Sequence, residues 1–190
     1  MSKTNTKRIK KCRSVYAPAP KAVAEESHTL AILVNNEPGV LARVVGLFSG
    51  RGYNIESLTV AETNHDQHLS RITIVSKGTP AVIEQIKAQL DRLIPVLEVS
   101  DLTIECHYVE RELALIKVAC TGDKRIEALR SADIFRARAV DSTLESFIFE
   151  ITGNAGKINA FIDLMTPLGL VDVSRTGIAA IARGKEAIGA

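Results

Sequence analysis

This 190-residue sequence predicts an α+β fold of two tandem ferredoxin-like β-α-β-β-α-β units, each an antiparallel sheet with both helices on one face. Three observations lead there. Apolar residues switch repeatedly between the two-residue alternation of strands and the three-to-four-residue spacing of helices. The switches run strand, helix, strand, strand, helix, strand. After about residue 103 the same order begins again with few matching letters, so the repetition is architectural rather than a sequence repeat. The expected units are residues 28–103 and 104–190, behind a basic extension and linker at 1–27. Both lie within ordinary domain sizes.

In the first unit, "HTLAILVNN" reads as a buried strand from His28 to about Asn35. From Val40, apolar positions Leu41, Val44, Leu47 and Phe48 mark one helical face, with Pro38 suited to the first turn and Gly52 to the residue past the end. "NIESLTVAE" and "LSRITIVS" alternate as strands through Ile55, Leu58 and Val60, then Ser70, Ile72 and Ile74. The polar loop Thr63–Gln67 makes them a hairpin. Thr79-Pro80 opens a second helix whose apolar positions are Val82, Ile83, Ile86, Leu90 and Leu93. Pro95 ends it, and "VLEVSDL" gives the fourth strand. In the second unit, "RELALIKVAC" is a strand and "DKRIEALRSA" a short helix. "FRARAVDST" with "SFIFEIT" is a hairpin, "NAGKINAFIDLMTPLG" a helix and "LVDVSRTG" the last strand.

Composition narrows the function classes. The chain is 46% apolar and 24% charged, as ordinary globular proteins are. No run approaches the roughly 18 apolar residues of a membrane span, and the N-terminus lacks the apolar core of a secretory signal. Three scattered cysteines (Cys12, Cys106, Cys120) make no disulfide framework, which fits a reducing compartment; the expectation is a cytoplasmic protein. Seven of the 24 basic residues fall in residues 1–21, without an acid among them, so the remainder is acidic at −5. The extension is expected to be a solvating tail rather than a nucleic-acid arm.

Catalytic motifs are missing. There is no nucleophile elbow, phosphate loop or dinucleotide fingerprint. Thr121-Gly122-Asp123 and Gly153-Asn154-Ala155-Gly156 read as connecting turns before helices. Glu56, Glu62 and Glu110 have no evident acid–base partner, and His65 with His68 forms a polar turn rather than a metal site. RNA-recognition domains share this strand order but stack bases on third-strand aromatics. "HLSRITIVS" has none, and the whole chain only eight, which argues against RNA on the sheet.

The informative stretch is Asn36–Gly39. A helix N-terminus presents backbone N–H groups and partial positive charge. With Pro38 at the first helical position, the N–H groups of Gly39 and Val40 are expected to be free for a carboxylate. Gly39 lets a ligand approach the backbone closely. Asn36 and Asn54 flank the helix with amides able to accept from an ammonium and donate to a carboxylate. A zwitterionic amino acid suits such a set. A helix cap with two turn asparagines explains the same residues without any ligand.

"NNEPGVLARVVGLFSGRGYNIESLTV" followed by "HLSRITIV" resembles the ACT domain of the regulatory (small) subunit of acetolactate synthase, also called acetohydroxyacid synthase. "YVERELALIKV", "IFRARAVD", "GNAGKINAF" and "SRTGIAAIARG" resemble that family's C-terminal half in the same order, so the likeness runs from Thr29 to Glu186. The resemblance implies a subunit without an active site of its own and without a cofactor or metal in this chain. Thiamine diphosphate, magnesium and FAD are expected on the catalytic large subunit, which condenses two pyruvates, or pyruvate with 2-oxobutyrate. It further implies activation of that subunit and feedback inhibition by a branched-chain amino acid, usually valine. The effector is expected where two ACT domains pair as a homodimer. Family effector positions fall on Asn36, Gly39 and Asn54, with Val40, Leu41 and Ile55 on the apolar side of the pocket. Two other readings stay open at this point: an amino-acid sensor acting on a different enzyme, and nucleic-acid binding by the tail.

Overall fold

The computed structural model describes residues 24–64, 66–185 and 188; the basic extension up to residue 23 and His65 lie outside them. The first unit comprises β1 (Glu26–Asn35), α1 (Val40–Arg51), β2 (Ser57–Asn64), β3 (Leu69–Gly78), α2 (Pro80–Leu90) and β4 (Val96–Asp101). Its antiparallel sheet has the order β2-β3-β1-β4, with Leu30 opposite Ile74 and Ile32 opposite Ile72. Because alternate residues share a face, Leu30, Ile32, Val34, Ile72 and Ile74 stand together. Val44, Leu47 and Phe48 of α1 and Ile83, Ile86 and Leu90 of α2 close over them.

A four-residue helix, α3 (Leu102–Glu105), leads into the second unit, and the expected boundary after residue 103 falls inside it. The second unit runs β5 (Tyr108–Ala119), α4 (Asp123–Phe135), β6 (Arg138–Ser142), β7 (Ser146–Gly153), α5 (Ala155–Gly169) and β8 (Leu170–Arg175). The strand order β6-β7-β5-β8 repeats that of the first sheet. Its core joins Ala114, Ile116 and Val118 of β5 to Phe147, Phe149 and Ile151 of β7 under Ile158, Phe161 and Met165 of α5. Both units are therefore ferredoxin-like, in an α+β fold. None of the described helices is long and apolar enough to cross a membrane.

Several details depart from the periodicity. The first strand begins at Glu26 rather than His28. α2 stops at Leu90, well before Pro95; tight turns follow, in which Leu93 donates to Leu90 O and Val96 to Leu93 O, while Leu93 still packs on the core. α4 runs on through Phe135, whose ring centroid lies 5.4 Å from that of Phe161, so Phe135 belongs to the helix and not to the following strand. Arg136 ends it at φ 53°, and its left-handed backbone returns N–H groups to the last turn.

A short strand near the C-terminus, β9 (Ala179–Ala182), was not foreseen. It pairs with Tyr108–Arg111 of β5, beyond the stretch of β5 that pairs with β8. There it lies against the first unit, where Ala180 is buried with Ala31 of β1 and Leu102 of α3.

Candidate effector site

The chain leaves β1 at Asn35 and turns through Asn36-Glu37-Pro38-Gly39. Gly39, not Pro38, is the N-cap of α1, and it adopts a left-handed conformation at φ 84°. Glycine is at home there because it lacks the Cβ that opposes positive φ. No side chain caps this helix, and a Cβ built on Gly39 would meet no other atom within 4 Å. The turn uses one N–H that was expected to be free: Val40 donates to Glu37 O at 3.2 Å. That corrects the sequence reading, because a helix starting at Val40 folds the preceding residues into a hydrogen-bonded turn. The N–H groups of Gly39, Leu41 and Ala42 remain without a backbone acceptor and provide the donors at this end.

The side chains divide between two places. Asn36 is exposed; its backbone N–H donates to His68 O at 2.6 Å and its amide Nδ2 to Glu62 Oε1 at 3.4 Å. Leu41 is 38% exposed beside the free N–H groups, whereas Val40 turns into the core. Asn54 lies beyond the other end of α1, where Gly52 (φ 72°) stops the helix. Its side chain is exposed and its carbonyl accepts from Ser76 Oγ at 2.7 Å, while Ile55 packs against the core.

These two clusters cannot share one small ligand within a chain. α1 has 12 residues, and at about 1.5 Å per residue its ends stand about 18 Å apart. The sheet also sets them at opposite ends: Asn35 pairs with Leu69 at one end of β1 and β3, and His28 pairs at the other with Ser76, whose hydroxyl donates to Asn54 O. Asn36, Gly39 and Leu41 therefore stand together at one end of α1, and Asn54 with Ile55 at the other. The helix expected between Val40 and Gly52 already set Asn36 and Asn54 on opposite sides of it, and its rise of about 1.5 Å per residue fixes how far apart they stand.

Other polar groups were invisible to sequence reasoning. His28 Nδ1 lies 2.7 Å from Asp101 Oδ2, with both side chains buried, and Asp101 Oδ1 accepts the N–H of Thr103 to cap α3. Glu112, buried in β5, takes two bonds from Arg175 of β8, at 2.8 and 2.6 Å. That carboxylate raises the pKa of the guanidinium, against the effect of burial. Partners this far apart in the chain carry no local signal. Among the described residues no cluster of three or more His, Cys, Asp or Glu side chains is arranged to hold a metal ion.

Two tandem ferredoxin-like units, the first opening its leading helix on an uncapped glycine, define a protein of the ACT-domain class. Residues 30–98 match the family model described as AHAS small subunit-like ACT domain, and residues 111–184 match the one described as small subunit of acetolactate synthase. A chain from Archaeoglobus fulgidus named "Probable acetolactate synthase small subunit" is 52% identical over 159 residues, covering 84% of this chain and 98% of its own length. The acetolactate synthase isozyme 3 small subunit of Escherichia coli is 45% identical over 156 residues, covering 82% and 94%. The crystal structure of the acetolactate synthase small subunit from Thermotoga maritima superposes with a TM-score of 0.75 at 40% identity, covering 85% and 99%. The chain belongs to the acetolactate synthase small-subunit family.

Proposed function

We propose that this chain regulates a thiamine-diphosphate-dependent acetolactate synthase large subunit, raising its activity and making it sensitive to a branched-chain amino acid, valine foremost. The large subunit supplies the active site and, with it, thiamine diphosphate, magnesium and FAD. This chain supplies the effector site.

The observation that carries the reading is the uncapped start of α1. Gly39 combines a left-handed backbone, open space where a side chain would stand and unused N–H groups, which suits an effector carboxylate approaching the helix N-terminus. Leu41 offers apolar contact to its side chain. The separation of about 18 Å from Asn54 supports a site completed across a homodimer, with Asn36 and Gly39 from one protomer and Asn54 from its partner. A site shared by two chains ties effector binding to the geometry of the assembly.

The test is reconstitution with a catalytic large subunit, with acetolactate measured in the presence and absence of valine, leucine and isoleucine. Stimulation by this chain and inhibition by at least one of the three are expected. Unchanged activity on mixing would reject the reading.

A further inference from the structure

We infer that the segment Thr176–Ala182 is the coupling element that carries the effector state of the first unit into the second, through contacts of Gly177 and Ile178 with Ser57 and of Ala180 with Arg71. The inference rests on the effector reading above and names how that site communicates.

The segment is fastened to both units. On the second, Thr176 N–H donates to Leu113 O at 3.0 Å, its hydroxyl accepts from Leu113 N–H at 3.1 Å, and β9 continues along Tyr108–Arg111 of the same strand. On the first, Ser57 Oγ accepts the N–H of Ile178 at 2.9 Å. Arg71 of β3 donates to Ala180 O at 2.9 Å, and Ala180 is buried against Ala31 and Leu102. Gly177 sits at φ 84°, and a Cβ there would lie 2.9 Å from both Ser57 Oγ and Thr59 Oγ1. The backbone of the segment is thus seated directly on β2 at a point that tolerates no side chain.

That point adjoins the effector residues. Ser57 opens β2 two residues after Ile55 and three after Asn54. A displacement of Asn54 or Ile55 on effector binding reaches Ser57 within a few bonds, then Ile178, then β5, the central strand of the second sheet. Beside the contact lies a cavity of about 450 Å³, with Glu56, Ser57 and Leu58 among its first-unit walls and Glu112, Arg175 and Thr176 among its second-unit walls. The units therefore touch along the segment and stand apart next to it, so a small rotation about the junction has space to occur. Packed and hydrogen-bonded chains of this kind are the physical means by which a local change biases a distant equilibrium.

The experiment compares wild type, Ser57→Ala, Gly177→Ala and Ser57→Thr, each reconstituted with the catalytic subunit. Valine binding is measured by calorimetry, inhibition by titration of acetolactate formation, and amide exchange at Ile178 with and without valine in the wild-type complex. Ser57→Ala and Gly177→Ala should bind valine within about threefold of wild type yet lose more than about half of the maximal inhibition. Ser57→Thr, which keeps the hydroxyl, should retain inhibition, and valine should change Ile178 exchange. Wild-type inhibition in both disrupted variants, or Ile178 exchange indifferent to valine, overturns the coupling while leaving the effector reading intact. A wild-type complex that binds no valine overturns both, and the calorimetry separates the two failures.

Discussion

β1 and β5 hold the same position in their sheets, yet they are buried differently. From His28 to Val34, β1 is buried without a break. β5 alternates: Ala114, Ile116 and Val118 are inside, while Leu115 and Lys117 face outward into solvent. The helices cover one face of each sheet. On the other face, the first sheet meets α3 and β9 around Ala31, whereas the second exposes Leu115 and Lys117 of its central strand. The unbroken burial of β1 thus marks a second covered face and the alternating burial of β5 an open one, a difference the letters do not carry, because "LALIKVA" is as apolar a run as "HTLAILV". One unit is the seat and the other provides the segment seated on it.

The contrast breaks most readily at outward-facing positions of the two strands. Ala31→Lys should place an ammonium without a partner between β1, α3 and β9, costing roughly 3–5 kcal/mol, in the range of an uncompensated buried charge. Lys117→Ala, on the open face, should change stability by no more than about 0.5 kcal/mol. Denaturant unfolding measures both. Similar small effects from the two would mean that the outer face of the first sheet is as open as that of the second.

A second contrast lies in how the two units start helices. α5 is capped by Asn154, whose Oδ1 accepts the N–H of Lys157 at 2.9 Å; α1 starts on Gly39 with no side-chain cap. Gly39→Asp should put a carboxylate where the effector carboxylate is proposed to bind. Two like charges about 4 Å apart at an effective dielectric near 20 repel by roughly 4 kcal/mol, about a thousandfold in affinity. Feedback inhibition should vanish while activation survives, because a negative charge suits a helix N-terminus and partly offsets the strain of positive φ. Asn36→Ala and Asn54→Ala should each weaken inhibition by about 1 kcal/mol, roughly fivefold. Asn154→Ala should cost about 1 kcal/mol of stability and leave inhibition unchanged. Valine titrations of reconstituted activity, paired with melting curves, sort the variants; inhibition of Gly39→Asp at wild-type valine concentrations would return α1 to an ordinary glycine cap.

The parts of this fold legible in the sequence are those written locally. Ile83, Ile86 and Leu90 mark a helix within eight residues, and Ser70, Ile72 and Ile74 mark a strand within five. β9 escaped because four residues, "AAIA", carry almost no period, and their partners on β5 lie about seventy positions back. The αL state of Gly39 escaped for a related reason: Pro-Gly fits both a first helical turn and a turn ahead of a helix. The hydrogen bond from Val40 to Glu37 O distinguishes them, and it exists only in three dimensions. Asn36, Gly39 and Asn54 stand out in the sequence as residues flanking one helix, and the 12 residues of α1 set Asn36 and Gly39 about 18 Å from Asn54.

A small, pH-dependent effect is expected at the ion pair between α2 and α3. Lys87 of α2 donates to Glu105 at the end of α3, which also accepts from Ser100 Oγ. Burial opposes the charged form of Glu105, but the bonds from Lys87 and Ser100 outweigh it and hold its pKa below the ordinary 4.5. Burial likewise opposes the charge on Lys87, and its bond to Glu105 and the nearby carboxylates raise its pKa above 10.5. A lowered carboxylate pKa contributes stability that is present above the unfolded-state value and lost as pH falls through the folded one. A raised lysine pKa contributes stability that is present below its unfolded-state value and lost as pH rises through the folded one. The stabilisation should therefore span the interval between, and because Glu105 is well exposed it should amount to less than about 1 kcal/mol, or a few degrees in Tm. Melting curves of wild type and Glu105→Gln should differ at neutral pH, converge only at pH values clearly under 4.5, and converge again above 10.5. Arg175 with the buried Glu112 ties β8 to β5 in the second unit, as Asp101 with His28 ties β4 to β1 in the first, and its guanidinium stays charged through that alkaline limit. A Glu105→Gln difference that persisted into strong acid would show that Gln loses packing rather than charge, and that α3 is held by its apolar contact through Leu102 instead.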